Sequence, residues 1–266
     1  MLNSLVLTHM AAAVAEAMGV APPEKAEAPM AELDALVKAF SKRGKAERVL
    51  IFNPDAVAYW LYEKYTDTFI PVMLRAQMAL PMQTVFPPVT PVCFGTMYTG
   101  AMPAVHGIRK YEKPIIRTDT LFDALHRAGK RVALVVRDDS SMERIFRERP
   151  IDYYVCESDA KVEEAALKLL EEDAYDFLCV YHMDYDDMIH ETTPESEVSM
   201  AALTRHIASF ANLADAAKRC WAPYDTLIGF APDHGLHTTI EGVGDHFADI
   251  PADMNMIHFW GFYPAE

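Results

Sequence analysis

No apolar run in this 266-residue chain approaches the roughly 18 residues that a membrane span requires. No run of five or more basic residues occurs, and 24 Lys+Arg against 39 Asp+Glu leave a formal charge of −15. That balance argues against a nucleic-acid polymer or an anionic membrane as partner. Cysteine is sparse: Cys93, Cys156, Cys179 and Cys220 lie far apart, without a Cys-x-x-Cys pair. A disulfide framework is therefore excluded, and buried thiols in a reducing compartment are expected. Neither Gly-x-Gly-x-x-Gly nor a Walker A sequence follows a strand-like run, so dinucleotide and P-loop binding are unsupported. The opening MLNSLVLTHMAAAVAEAMG holds an AAAVA stretch like a cleavage site, but it lacks a basic leader, and Thr8 and His9 interrupt it. An amphipathic helix in a cytoplasmic protein is the expectation. A chain of 266 residues can bury ~70–75 % of its extended surface and needs no staple to fold.

Two helical stretches, 3–18 and 29–42, flank APPEKAEAP, whose adjacent prolines break any helix; this part reads as peripheral. From residue 48 the pattern changes. RVLIFN (48–53), RVALVV (131–136), IDYYVC (151–156), YDFLCVYH (175–182), TLIGFAP (226–232) and MIHFWGF (256–262) predict strands. Helical patterns lie between them at 118–129, 158–173 and 194–220. Strand alternating with helix predicts an α/β fold, a mostly parallel sheet covered by helices on both faces. The expected organisation is an N-terminal helical extension (1–46) followed by one α/β domain (47–266).

Ligands of such sheets gather at the carboxyl ends of the strands. Asp55 follows the first strand-like run, Asp184, Asp186 and His190 the fourth, and Asp233-His234 the fifth. Seven of the ten histidines lie after residue 180, which weights the same strand ends with imidazole. Asp186 and His190, four apart, share one face of a helix. Gly235 permits a sharp turn after Asp233-His234. Carboxylate and imidazole without thiolate suit zinc, or else manganese or iron. Taken singly, each pair is weak: an Asp-His dipeptide at a strand end is more often a capped turn, and a lone Asp-x-x-x-His on a helix is a solvated pair at least as often. His182, Asp184, Asp187, His237 and Asp245 read as partners of these residues or as loop surface; His126, His206 and His258 read as structural. Within FPPVTPVCFGTMYTGAMPAVHGI (86–108), Pro91 suits a first helical position and makes Thr90 the N-cap. Its hydroxyl is either a cap or a nucleophile held at the positive end of the helix dipole.

The order of these elements resembles the alkaline phosphatase superfamily, and most nearly its type I phosphodiesterase / nucleotide pyrophosphatase branch. Thr90, Thr99-Gly100, Pro103 and His106-Gly107-Ile108 follow the branch's nucleophile layout, and PES (194–196) trails the Asp-x-x-x-His element as in the branch. His246, before the Met-rich final strand, matches the last histidine. The resemblance runs from residue 48 to the C-terminus. It implies a two-metal site with one ion on Asp55, Asp233, His234 and Thr90, and the other on Asp186, His190 and His246. It also implies a hydrolase of phosphodiester or pyrophosphate bonds in small phosphorylated molecules, with Thr90 phosphorylated and then released by water. A phosphonate-cleaving or phosphomonoesterase relative, or a non-catalytic phosphometabolite binder that keeps its metals, are the alternatives. Without Cys/Ser-x-Pro-x-Arg, the formylglycine sulfatase branch is disfavoured. Three positions depart from the branch: Ala56 and Phe247 stand where glycine is usual, and Tyr111 where asparagine helps bind the phosphoryl oxygen. Tyr111 is either a replacement donor or a packed loop tyrosine, in which case Arg109, Lys110 or water inherits the contact. The chain is also short for the family, leaving no room for a substantial cap domain.

Overall fold

The computed structural model describes residues 1–266. Its strands are β1 (Leu5–Val6), β2 (Arg48–Pro54), β3 (Met78–Gln83), β4 (Val132–Arg137), β5 (Asp152–Cys156), β6 (Phe177–His182), β7 (Thr226–Phe230), β8 (His237–Thr238), β9 (Gly244–Asp245) and β10 (Asn255–Tyr263). Eight of them form one sheet in the order β1-β3-β10-β7-β2-β6-β4-β5, and β8 and β9 pair separately. β10 is antiparallel to both its neighbours, and every other pairing in the large sheet is parallel. The fold is thus α/β with a mostly parallel mixed sheet, as expected.

Successive side chains of a strand face opposite sides of the sheet. Val49, Ile51, Leu134, Cys179 and Tyr181 accordingly enter one buried cluster, whereas Leu50, Phe52, Val135, Leu178 and Val180 enter the other. Helices Thr90–Thr99 and Leu121–Arg127 cover the first face, and Asp159–Glu171 and Glu197–Cys220 the second. Side-chain caps set three of these starts. Thr120 and Asp123 form a capping box, Ser158 accepts from the Lys161 N–H, and Ser196 accepts from the Ser199 N–H. The long helix therefore starts after Ser196 and not at Pro194. No helix is long and apolar enough to cross a membrane.

Two sequence expectations need correction. The N-terminal segment is not peripheral: Leu7, Met10, Val14 and Met18 are fully or almost fully buried in the same cluster as Ile51 and Tyr98. Its first residues are strand, because Leu5 and Val6 pair with Met82 and Gln83. The second correction is β3 itself, MALPMQ, which the pattern left unassigned. Pro81 argues against a strand interior. It is tolerated here because β1 covers only Met82 and Gln83, leaving one side of the strand unpaired at Pro81.

Met10→Ala separates a core helix from an appended one. Truncating a fully buried methionine typically costs ~2–5 kcal/mol, whereas a surface change stays within ~0.5 kcal/mol. Denaturant unfolding of this variant should show the larger loss.

Candidate metal centre

The topology explains why residues far apart in sequence meet. β7, β2 and β6 are neighbours and parallel, so the residues after them emerge at one edge. β3 runs the same way, and the antiparallel β10 begins at that edge. Asp233, Asp55, Asp186, Thr90 and His246 follow or precede these five strand ends.

They form two triads. His234 Nε2 lies 3.4 Å from Asp55 Oδ1 and 3.4 Å from Asp233 Oδ2. Asp186 Oδ1 lies 3.4 Å from His190 Nε2 and 3.3 Å from His246 Nε2, and the two imidazole nitrogens are 3.2 Å apart. The triads adjoin, with the His234 and His246 rings 4.1 Å apart. As expected from sequence, Asp186 and His190 share a face of the helix Asp184–Glu191. A tetrahedral ion with ligand bonds of ~2.0–2.1 Å has donor–donor edges of ~3.3–3.4 Å. The five donor–donor distances above therefore match the spacing of a zinc-class donor set, and the Asp55 and Asp233 ligand atoms lie within 4.8 Å of each other.

Hydrogen bonding supports that fit. Tyr181 O–H donates to Asp55 Oδ2, and the Ala56 N–H donates to Asp233 Oδ1 at 3.3 Å. The oxygens left without any partner are Asp55 Oδ1, Asp233 Oδ2 and Asp186 Oδ1, the same atoms that face the imidazoles. Unpaired buried carboxylate oxygens are costly unless a cation completes them. Both buried imidazoles are oriented from behind. His246 Nδ1 bonds the Pro88 carbonyl at 2.8 Å and His234 Nδ1 the Gly235 carbonyl at 3.0 Å, which aims each Nε2 into the centre. Gly235 has no room for a side chain, since a Cβ would lie 2.1 Å from the Ala252 carbonyl oxygen.

The protons confirm the crowding. Burial, reinforced by the Asp186 charge, pushes Asp233 up to about 7. Burial and the charges of Asp233 and Asp186 raise Asp55 well above the usual carboxylate range. Asp186 is instead held well below it: burial opposes ionisation, but His190 and His246 overcome it. Burial works against charge on His246 too, yet Asp186 lifts it to about 9; burial takes His234 down to about 3.

Thr90 Oγ is buried and lies 3.4 Å from His234 Nε2. Helix Thr90–Thr99 begins one residue earlier than expected, with Val89 as N-cap, and no side chain caps it. The hydroxyl is thus free of the capping role that local sequence suggested. A cavity of about 230 Å³ opens onto the centre, lined by Asp55, Thr90, Asp186, His190 and His246 together with Tyr111, Lys113, Ser141, Tyr181, Met183, Asp187 and Phe247. Arg109 donates to the Ala104 carbonyl and Lys110 faces Glu112, and neither lines the cavity. Sequence reasoning missed Tyr181, Lys113 and Ser141. Tyr181 could have been noticed as an inward residue at the end of β6, whereas Lys113, in a loop, and Ser141, the first residue of the short helix Ser141–Ile145, carry no local signal. Of the residues read as partners, His237 bonds Asp253, which in turn accepts from the Phe247 and Ala248 N–H groups and braces the turn after His246.

The family model described as type I phosphodiesterase / nucleotide pyrophosphatase matches residues 49–259. Among curated proteins none matches by sequence. Similar solved structures include murine ectonucleotide pyrophosphatase / phosphodiesterase 5, at 16 % identity and TM-score 0.58, covering 73 % of this chain and 59 % of that one. Phosphonoacetate hydrolase from Sinorhizobium meliloti 1021, in complex with phosphonoformate, matches at 19 % identity and TM-score 0.52, over 75 % of this chain and 60 % of that one. A 2-O GAG sulfatase matches at 12 % identity and TM-score 0.62, over 82 % and 64 %. At these identities the likeness is one of fold, and the chain spans about three-fifths of the length of these proteins.

Metal binding must displace protons held by Asp233 below about pH 7 and by His246 below about pH 9. The apparent zinc affinity should therefore rise between pH 6 and 8, by about tenfold per pH unit for each proton displaced. Competition against a chelator, corrected for the chelator's own protonation, measures this. A pH-independent affinity would contradict it.

Proposed function

The chain belongs to the type I phosphodiesterase / nucleotide pyrophosphatase family, and on that premise we propose that it hydrolyses phosphodiester or pyrophosphate bonds of small molecules through a phosphothreonine at Thr90. One observation carries the reading: a buried threonine hydroxyl, free of capping bonds, lies 3.4 Å from a nitrogen of one candidate metal triad. The murine relative supports it, since a form described as inactive, with threonine replaced by alanine, is the one in complex with AMP. Asp55, Asp233, His234 and Thr90 would hold one divalent ion, and Asp186, His190 and His246 the other. When bound, such a pair supplies Lewis acidity toward the attacking and leaving oxygens of an in-line displacement.

The chain's own groups then have defined tasks. Thr90 sits in the first turn of a ten-residue helix, where the dipole favours negative charge on Oγ. Oγ attacks phosphorus, the bond to the leaving alcohol or phosphate breaks, and water afterwards cleaves the Thr90 O–P bond, restoring the hydroxyl. Two dications held there would balance three carboxylates and a Thr90 alkoxide, so an anionic substrate would be tolerated despite the overall charge of −15. Tyr111 and Lys113 face the cavity, and the Phe247 ring stacks on His246. Tyr111 O–H is proposed as the donor to a phosphoryl oxygen, the task of the branch's asparagine. Lys113 favours a second anionic group, which keeps pyrophosphate and phosphonate substrates on the panel beside diesters and monoesters.

Thr90→Ala should abolish turnover, by at least a thousandfold or ~4 kcal/mol in barrier, while metal content and unfolding free energy stay unchanged. Activity retained within about tenfold on the best substrate, with Zn²⁺ or Mn²⁺, would remove Thr90 as nucleophile. Tyr111→Phe should lower kcat by ~10²–10³, the usual loss for one preorganised donor. An unchanged rate would pass the contact to Lys113, Ser141 or water and leave the metal assignment intact.

A further inference from the structure

A third cluster of ligand-type side chains lies outside the centre, on the face of the sheet covered by the helices Asp159–Glu171 and Glu197–Cys220. Asp159 opens the helix Asp159–Glu171, His182 is the last residue of β6, and His206 lies midway along Glu197–Cys220. All three are buried, and each offers a ligand atom within 4.8 Å of the others. His206 Nε2 is 3.0 Å from Asp159 Oδ2, and His182 Nδ1 is 3.9 Å from the same oxygen. Sequence patterning gave His182 a loop or supporting role and His206 a structural one. Neither description accounts for what surrounds them.

His182 is 1 % exposed, yet neither of its ring nitrogens has a hydrogen-bond partner, and His206 Nδ1 has none either. Burial takes His182 down to about 3. It is therefore neutral at pH 7, with one N–H to donate and one lone pair to offer, both unmet in the fold. Phe52 packs against the ring at 4.8 Å and provides no polar contact. A cavity of about 180 Å³ adjoins the cluster, lined by Asp159, Glu163, Asp184, Arg205, His182 and His206 among others. Its wall carries three carboxylates and one guanidinium, a surplus of two negative charges. Arg137 reaches Asp159 at 4.0 Å but is engaged with Asp184 and Asp187 at 3.0 and 2.8 Å.

We propose that Asp159, His182 and His206 form a third divalent-cation site, of zinc or cobalt class, with its open position toward this cavity. One carboxylate and two imidazoles, with a vacancy for water, are a donor set typical of such ions. The site does not depend on the phosphoester reading, because it shares no side chain with the two triads. Its consequence is positional. Asp159 already accepts from the Met183 and Asp184 N–H groups, the turn that launches the helix carrying Asp186 and His190. A cation joining Asp159 to His182 would tie that turn to the end of β6 and to the long helix at His206.

Metal stoichiometry tests this directly. The protein is equilibrated with Zn²⁺, freed of loose metal by gel filtration, and assayed by elemental analysis; anomalous scattering at the zinc edge locates the ions. The wild type should hold about three ions per chain, and His206→Gln about two, with the peak near His182 lost. Asp186→Asn combined with His234→Asn should keep that peak while losing the other two. If the two-metal reading alone failed, the wild type would retain one ion that His206→Gln removes. If His206→Gln does not fold, the wild-type anomalous map decides on its own. No peak near His182 in a zinc-saturated wild type, only water filling the cavity, overturns the proposal, as does an unchanged count in a folded His206→Gln protein.

Discussion

Three carboxylates, each with a buried oxygen turned toward imidazole nitrogens and bonded to nothing else, are the constraint around which the rest is arranged. Left to themselves, Asp55, Asp186 and Asp233 repel one another in a medium that screens poorly. Two of them are pushed toward protonation as a result, and the third keeps its charge only by drawing positive charge onto His190 and His246. A fold holds such a cluster only if the surrounding elements over-determine it, and here they do. One oxygen of Asp55 is taken by Tyr181, one of Asp233 by the Ala56 N–H, and both buried histidines are fixed through Nδ1 on backbone carbonyls.

The sheet makes this economical. Three adjacent parallel strands deliver three acidic turns to one edge. The reversal of β10 lets the segment before it return His246 to the same place, across from the loop after β3. The His246 bond to the Pro88 carbonyl joins that returning segment to the turn carrying Thr90 two residues on. The candidate nucleophile and the second triad are thus tied through one hydrogen bond.

What was legible in the sequence follows the same physics. Continuous apolar runs such as RVLIFN and FLCVYH are buried on both faces, and that pattern is visible without a structure. Acidic residues just past such runs were equally visible, because the topology rule names the edge before the strand order is known. Pairings across the chain were not. The fate of MALPMQ depended on how little of it β1 covers, and the burial of Met10 and Val14 depended on a face of the sheet that no local pattern announces. Thr90 shows the limit most plainly, because local rules favour a cap at a threonine before proline. Only the tertiary position beside His234 leaves the hydroxyl free of that bond. Asp159, His182 and His206 are separated in sequence and share no motif, so nothing short of the fold groups them.

The three departures from the family pattern divide along the same line between scaffold and cavity. Ala56 has φ of 58°, a backbone region that glycine occupies without penalty and alanine only with strain. Its N–H still reaches Asp233, so the turn is kept at some cost and the acidic cluster is unaltered. Tyr111 and Phe247 are different, because both line the cavity and neither supplies a donor atom to a triad. Phe247 lays an apolar ring flat against His246 where a glycine would leave open space, and Tyr111 exchanges a short amide for a long phenol. The departures at Tyr111 and Phe247 thus fall on the cavity wall, and the carboxylate and imidazole geometry at the strand ends involves neither side chain.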